Sequence, residues 1–192
     1  MIPENKEYKK YTYADYLVWP DEERWELING EAWDMSPAPK SSHQRVCREI
    51  LGNMWIYLKD KPCEVFPAPF DVRLVKDSQA NEQDIYTTVQ PDLSVVCNKD
   101  KIDEKGCLGA PDLIVEVLSP STALKDESQK LKLYEEYGVR EYWIVNPEAE
   151  YIMIYKLTGP EFNKPDYYKG DDIIKSDVLT GFHIGLNDIF RK

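Results

Sequence analysis

The run PDLIVEVL, at residues 111–118, decides the fold of this chain. Side chains alternate along a strand, so the aliphatic residues at 113, 115 and 117 face one side, and Ile114, Glu116 and Leu118 face the other. Apolar residues on both faces are typical of a central strand that is covered on two sides. Glu116 therefore lies where an unpaired charge is costly, and it needs a cation, a hydrogen-bond network or a metal ion as its partner.

The tripeptide Pro-Asp-Leu occurs twice, at residues 91–93 and 111–113, and supplies two candidate acids to share a metal ion with Glu116. Asp112 precedes Glu116 by four residues on the same strand, roughly 13 Å at about 3.3 Å per residue. That separation is too large for one magnesium ion, whose oxygen ligands lie at about 2.1 Å. Asp92 begins a different strand and can lie beside Glu116. The spacing therefore selects Asp92 and leaves Asp112 as a residue at the start of a strand.

The segment after this strand predicts a helix at about residues 126–137, ended by Gly138. Lys130, Leu133 and Tyr134 share a stripe with apolar character, whereas Lys132 belongs to a polar stripe that faces water. A lysine on the apolar stripe either extends to solvent or reaches a buried acid. Because the helix directly follows the strand that carries Glu116, we expect it to pack nearby.

Asn29-Gly30 is the strongest short-range signal for a β-hairpin. A two-residue turn there places Ile28 opposite Glu31 and Glu26 opposite Trp33, so that these four side chains share one face. Two acids on a half-apolar face indicate either a polar site at the edge of the core or a solvated outer face. The hairpin alone does not decide between these interpretations.

The remaining pattern predicts the α/β class, with a mixed sheet and few helices. A helical stripe runs through residues 46–58, and Ser41 and Gln44 have the spacing of a capping box. A short helix is expected after Thr12, and the polar residues 77–90 are expected to form a surface loop. Further strands are predicted at residues 65–75, 93–97, 141–145 and 151–157.

The composition limits the class of partner. The chain has 192 residues, with 35 acidic and 24 basic side chains and a net charge of −11. Such an acidic chain is a poor candidate for binding nucleic acid by bulk attraction, so it needs a bridging metal ion or a local basic patch. Residues 40–61 carry five basic and two acidic side chains, which fits either a phosphate site at a helix N-terminus or a solvated helix face.

The same composition bears on the compartment. No apolar run approaches the ~20 residues of a membrane span, and the first residues lack the apolar stretch of a signal peptide. The four cysteines are widely spaced. We therefore expect free thiols in the core of a cytoplasmic protein, and neither a zinc site nor a disulfide framework.

Read together, residues 91–93, 111–121, Lys130, Tyr134 and 138–143 resemble the Uma-two family of restriction-endonuclease-like proteins, which belongs to the PD-(D/E)xK nuclease superfamily. Residues 26–31 (ELINGE) and 179–190 also match the family pattern. The resemblance covers about residues 11–190. It implies a single restriction-endonuclease-like domain over residues 1–192, with a central mixed β-sheet flanked by helices and an N-terminal β-hairpin.

The resemblance also implies an activity, an endonuclease that uses magnesium, or manganese in its place, to hydrolyse DNA. It makes Asp92 the motif aspartate and Glu116 its second acid, both of them metal ligands. Leu118 stands where the motif lysine is expected, so Lys130 of the following helix would supply that lysine. Glu31 would add a catalytic acid from the hairpin. Supporting roles near the site are implied for Glu26, His43 and Tyr134.

This assignment fits the chemistry of phosphodiester hydrolysis. A magnesium ion held by Asp92 and Glu116 would polarise the phosphate and lower the pKa of bound water, while Lys130 would stabilise developing negative charge. Two alternatives stay open. One is a nuclease-fold scaffold with weak or no catalysis, used for nucleic-acid binding or assembly. The other is a metal-free structural protein with a buried Lys130–Glu116 ion pair. Cutting both strands of DNA would favour a homodimer.

Overall fold

The computed structural model describes residues 9–20, 24–35, 39–119 and 125–191, with the side chains of residues 125–127 left out. The helices of these residues are α1 (Tyr13–Tyr16), α2 (Ser41–Leu58), α3 (Lys125–Tyr137) and α4 (Leu186–Ile189). Among the described residues, no helix combines the length and the apolar character that crossing a bilayer requires. The predicted helices after Thr12, through residues 46–58 and at 126–137 are all present.

Short strands make up most of the remaining regular structure. They are β1 (Trp25–Ile28), β2 (Glu31–Asp34), β3 (Glu64–Pro67), β4 (Val72–Arg73), β5 (Thr88–Val89), β6 (Leu93–Val96), β7 (Ile102–Asp103), β8 (Gly106–Leu108), β9 (Leu113–Val117), β10 (Glu141–Asn146), β11 (Tyr151–Thr158), β12 (Glu161–Phe162), β13 (Asp166–Lys169), β14 (Ile173–Lys175) and β15 (His183–Gly185).

These strands form two large sheets and one small one within the described residues. The first sheet has the order β2-β1-β5-β4-β8-β7, and the second has the order β12-β11-β10-β9-β6-β3, with β13 beside β11. Strands β14 and β15 pair separately. The second sheet is mixed, because β9 pairs parallel with β10 and antiparallel with β6. Mixed sheets with few helices confirm the predicted fold class.

Strand β9 lies in the middle of the second sheet and is covered on both faces. Leu113, Val115 and Val117 pack into one apolar cluster, together with the buried side of α2. Ile114 and Leu118 belong to a second cluster on the other face, together with buried residues of α3. The alternation read from the sequence therefore describes the packing of this strand, and it places Glu116 on the face that α3 covers.

Helix α2 covers the opposite face of this sheet. Its buried residues Val46, Ile50, Met54 and Leu58 recur every four residues, as helical periodicity requires. The predicted capping box is wrong, because Lys40 is the N-cap, without a side-chain hydrogen bond, and Ser41 is already the first helical residue. The helix therefore begins one residue before the position that the capping signal indicates.

Two segments differ from the expected strand pattern. The predicted strand at residues 65–75 is divided into β3 and β4, which belong to different sheets. The segment 77–90, predicted as a surface loop, contains β5, whose Thr88 pairs with both Leu27 and Arg73. Ile85 and Val89 are buried. This prediction failed because a two-residue strand has no periodicity, and only its neighbours in the sheet define it.

The expectation of free thiols is wrong for one pair of cysteines. Cys63 and Cys97 form a disulfide, while Cys47 and Cys107 are free. The cause is the register of β3 against β6, which places Glu64 opposite Val96. The next residues outward, Cys63 and Cys97, therefore also face each other. Their sequence separation of 34 residues conceals this pairing in the linear sequence.

Candidate active site

A cavity of about 300 Å³ collects charged side chains from several elements. Glu26 comes from β1, His43 from the first turn of α2, Glu116 from β9 and Lys130 from α3, while Asp92 immediately precedes β6. Both large sheets therefore contribute to one cavity. The structure brings Asp92, Glu116 and Lys130 together there, along with the predicted supporting residues Glu26 and His43.

Lys130 connects two acids inside this cavity. Its Nζ donates hydrogen bonds to Glu116 Oε1 at 2.9 Å and to Glu26 Oε1 at 3.1 Å. Tyr134, one helical turn further along α3, donates its hydroxyl to Glu116 Oε1 at 2.7 Å. The backbone N–H of Gln90 donates to Glu26 Oε1 at 2.9 Å. The helical spacing of Lys130 and Tyr134 thus directs both side chains to the same carboxylate.

The burial of these charges shifts their protonation. Desolvation raises the pKa of Glu116 to about 7, with the charges of Asp92 and Glu26 adding to the rise and Lys130 opposing it. Burial acts to lower the pKa of Lys130, but the two carboxylates outweigh it and raise that pKa. Near neutral pH, Glu116 is therefore poised between its acid and its carboxylate, whereas Lys130 stays a cation.

Asp92 is held by groups from two elements. Its Oδ2 accepts a hydrogen bond from the backbone N–H of Val117 at 2.8 Å and lies 3.2 Å from His43 Nε2. Burial acts to lower the pKa of His43, but its hydrogen bond to Asp92 and the charge of that carboxylate raise it overall. His43 orients Asp92 through this hydrogen bond.

A cysteine extends this cluster. Cys47 Sγ lies 3.5 Å from His43 Nδ1, and ligand atoms of His43, Cys47 and Asp92 all fall within 4.8 Å of one another. Burial raises the pKa of the Cys47 thiol, and the charges of Asp92 and Glu116 raise it further. Because thiols bind metal as thiolates, this protonated sulfur is a poor ligand at neutral pH. The oxygens of Asp92 and Glu116 are the better donors.

Within the part of the chain that the structure describes, the two central carboxylates each have one oxygen that accepts no hydrogen bond. Every hydrogen bond that the described residues make to these side chains ends on Oδ2 of Asp92 or on Oε1 of Glu116. Oδ1 of Asp92 and Oε2 of Glu116 can therefore serve as ligands. Such hard oxygen donors suit magnesium or manganese, so the residues present fit the expected ion.

The lining of the cavity is acidic. Four acidic side chains face two permanent cations, and these residues are Glu26, Asp34, Asp92, Glu116, Arg24 and Lys130. When all four acids are ionised, a phosphodiester meets net repulsion in this lining, because like charges at close range disfavour each other. A divalent cation would reverse the sign of that interaction.

Glu31 is placed away from the site. The hairpin register agrees with the sequence, with Glu26 opposite Trp33 and Ile28 opposite Glu31. Glu31 is nevertheless exposed and is absent from the lining of the cavity. The Ile28–Glu31 pair lies nearer the turn of the hairpin, about 7 Å along the strand from the Glu26–Trp33 pair. Glu26, which is 7% exposed, occupies the position near Lys130 instead.

The residues set aside by the sequence argument lie elsewhere. Asp112 accepts hydrogen bonds from the backbone N–H of Cys97 at 2.8 Å and from Arg140 at 3.1 Å. Its role is to connect strand ends, consistent with its place at the start of β9. Lys132 is exposed, although it lies only two residues from Lys130. Pro120 and Ser121, part of the family motif, lie outside the described residues.

Sequence reasoning missed two contributors. Cys47 follows His43 by four residues on a helix, a spacing that could have identified it as a neighbour. Gln90 lies in the segment interpreted as a loop, and no pattern in the sequence indicates that its backbone binds Glu26 across 64 residues. The first contact is local and readable, whereas the second depends on how the two sheets meet.

Comparison with known proteins agrees with this fold. The family model Uma2, described as "Putative restriction endonuclease", matches residues 13–187. An uncharacterized protein of Synechocystis sp. is 27% identical over 167 residues, which cover 86% of this chain and 77% of that protein. A crystal structure from Anabaena variabilis, described as "a putative nuclease belonging to DUF820", superposes with a TM-score of 0.74 at 19% identity. The superposition covers 93% of this chain and 97% of the Anabaena variabilis chain.

Proposed function

The chain belongs to the Uma2 family, and from that membership we propose that it is a magnesium- or manganese-dependent endonuclease that hydrolyses DNA phosphodiester bonds. The observation that carries the proposal is the convergence of Asp92, Glu116 and Lys130 in one cavity. Two of these residues are hard oxygen donors and the third is a partly buried cation. That combination suits metal-assisted hydrolysis of a phosphodiester.

Each residue has a separate role in this proposal. Asp92 and Glu116 would hold the ion, which when bound polarises the phosphate and lowers the pKa of a bound water. The imidazole of His43 and the N–H of Val117 fix the orientation of Asp92. Tyr134 fixes Glu116 in the same way. Lys130 supplies positive charge where negative charge develops on the phosphate.

The electrostatics of the cavity support the dependence on a metal ion. The lining carries more carboxylates than cations, and the whole chain has a net charge of −11. Neither the site nor the protein as a whole attracts a polyanion. A bound divalent ion would provide the local positive charge that the substrate needs.

One observation favours a second candidate function. Lys130 already pairs with two carboxylates, Glu26 and Glu116, at hydrogen-bonding distance. A residue satisfied in this way can serve structure alone. The chain would then be a nuclease-fold scaffold that binds nucleic acid, or assembles, without cleaving it.

Two further predictions concern the assembly and the location of the protein. A homodimer would allow both DNA strands to be cut, and it stays a prediction. The cytoplasmic location also stays a prediction, and the Cys63–Cys97 bridge counts against a reducing compartment.

Cleavage assays with matched lysine variants test the proposed function. Plasmid and single-stranded DNA are incubated with the protein and Mg²⁺ or Mn²⁺, with and without a chelator. We expect the chelator to abolish cleavage, and Glu116→Gln and Lys130→Met each to lower the rate about 100-fold or more. The exposed neighbour provides the control, so Lys132→Met should cleave normally.

Two results would contradict the nuclease assignment. Cleavage that survives both the chelator and Lys130→Met would come from a contaminating enzyme. Mn²⁺ binding by calorimetry that disappears in Glu116→Gln, without any cleavage by the wild-type protein, would instead support the scaffold.

A further inference from the structure

We propose that the apolar wall of the active-site cavity, centred on Trp33, takes up one unstacked nucleobase. The preferred substrate is therefore single-stranded or locally unpaired nucleic acid. This inference rests on the proposed nuclease function and names the substrate class for the same site. It comes from Trp33, from the division of the cavity into two kinds of surface, and from the size of the cavity.

Trp33 is placed on the cavity by the hairpin register. It pairs with Glu26 across β1 and β2, and paired residues share a face of the sheet. Both residues line the cavity. The polar group that binds Lys130 and the aromatic ring of Trp33 are thus neighbours on one surface.

The lining of the cavity combines polar and apolar side chains. Glu26, Asp92, Glu116 and Lys130 belong to the polar part, where the phosphate would react. The apolar part includes Ile28, Trp33, Met35 and Tyr142. A nucleotide has the same division, because its base is a planar ring system and its phosphate is an anion. Aromatic side chains stack on such bases without strong sequence preference.

The cavity is too small to enclose a double helix. Its volume of about 300 Å³ lies at the lower end of the range for small-ligand pockets. A single nucleotide is the largest unit of nucleic acid that this space suits. A base can reach Trp33 only after it leaves the stack, and that step is easiest in single strands and at mismatches.

The charge of the protein points in the same direction. Proteins that bind duplex DNA through its backbone depend on many lysine and arginine contacts to phosphates. A chain with a net charge of −11 gains little from such contacts. Base stacking in an apolar pocket is an alternative source of affinity that the overall charge does not oppose.

Kinetics on matched substrates test this inference. One oligonucleotide is offered as a single strand, as a perfect duplex and as a duplex with a central mismatch, and kcat and KM are measured with Mn²⁺. We expect the wild-type protein to cleave the single strand and the mismatched site at least about tenfold more efficiently than the perfect duplex.

Variants of two tryptophans test whether Trp33 is responsible for the preference for unpaired substrates. Trp33→Ala should raise KM for the single strand about tenfold or more and change kcat less. Trp33→Phe keeps an aromatic ring at this position in a smaller side chain, so it should fold normally and give a smaller rise. Trp55 is 63% exposed on α2, and Trp55→Ala should leave both constants unchanged.

The outcomes separate this inference from the proposed function. Metal-dependent cleavage that treats single strand and duplex equally, or that ignores both Trp33 variants, would overturn the base pocket and leave the nuclease intact. If no DNA is cleaved at all, the nuclease proposal fails. Fluorescence anisotropy of a labelled single strand then still tests the pocket, because unchanged binding by both Trp33 variants would overturn it.

Discussion

Glu116 shows how far a single residue can be understood from the sequence. Strand alternation identified it as a buried acid, and helical spacing selected Lys130 over Lys132 as the cation that reaches it. The structure adds that Lys130 also binds Glu26, a contact between residues 104 positions apart. The sequence could not predict that contact, because it depends on where the hairpin lies relative to α3. Local periodicity predicts which way a side chain points, but not every group that it meets.

The raised pKa of Glu116 predicts a pH-dependent stability. Its pKa rises from an ordinary value of 4.5 to about 7 in the folded protein. Between these values, the unfolded chain has lost the proton and the folded protein keeps it, so stability falls as pH rises. The full effect is about 3 kcal/mol. We expect this decline between the ordinary pKa of 4.5 and the folded pKa of about 7 in metal-free wild-type protein, and a weaker decline in Glu116→Gln.

Urea unfolding in the presence of a chelator, at several values of pH, measures this difference. The difference between the two proteins cancels the contribution of other titrating groups to the pH dependence of stability, because wild type and Glu116→Gln share all of them. Parallel curves for the two proteins across this range would show that Glu116 keeps an ordinary pKa.

At the scale of elements, long periodic segments were predictable and short strands were not. Helices α2 and α3 and strands β9, β10 and β11 carry a repeat that the sequence displays over several residues. Strand β5 has only two residues, and its identity comes from hydrogen bonds to β1 and β4. Three of the six strands in the first sheet, β4, β5 and β7, have two residues each. Its existence therefore follows from long-range pairing, which propensity and periodicity do not encode.

Two glycines illustrate the same difference between local and long-range constraint. Gly138 follows α3 with φ +82°, and a side chain there would meet no atom within 4 Å. Gly106 begins β8 with φ +118°, and a Cβ there would overlap the carbonyl oxygen of Asp71. We expect Gly138→Ala to cost about 1 kcal/mol from backbone conformation alone. Gly106→Ala should cost more than about 3 kcal/mol, because backbone must also move.

Chemical denaturation of both variants measures these costs. Asp71 also accepts hydrogen bonds from Tyr13 and from the side chain of Gln90. A shift at Gly106 should therefore disturb the environment of α1 as well. Equal losses of stability in the two variants would show that the packing at Gly106 is not a constraint.

At the scale of the whole molecule, the site exists because two sheets meet. Glu26 and Trp33 come from the first sheet, and Glu116 comes from the second. The pair of acids and the lysine were accessible from the sequence, since all three belong to long, regular elements or to their ends. The apolar wall was not accessible, because the hairpin could equally have faced solvent. The association of the sheets converts an ambiguous hairpin face into part of the cavity.

The disulfide fixes the segment of chain that links these sheets. Strands β3 and β6 belong to the second sheet, while β4 and β5, between them in the sequence, belong to the first. Cys63 precedes β3 and Cys97 follows β6, so the bridge lies at the end of this strand pair away from the first sheet, and the loop that it closes contains β4 and β5. Cross-linking residues with a sequence separation of 34 restricts the unfolded chain. The chain-entropy model gives about 3–4 kcal/mol for a loop of that length.

We therefore expect a reductant to lower the free energy of unfolding of the wild-type protein by about 3 kcal/mol. The double variant Cys63→Ser/Cys97→Ser should start near the reduced value and should not respond to the reductant. Thiol titration of the denatured protein checks the assignment, since two of the four cysteines should be free before reduction and all four afterwards. Four free thiols at the start would contradict the bridge. A reductant effect that persists in the double variant would have to originate outside the Cys63–Cys97 pair.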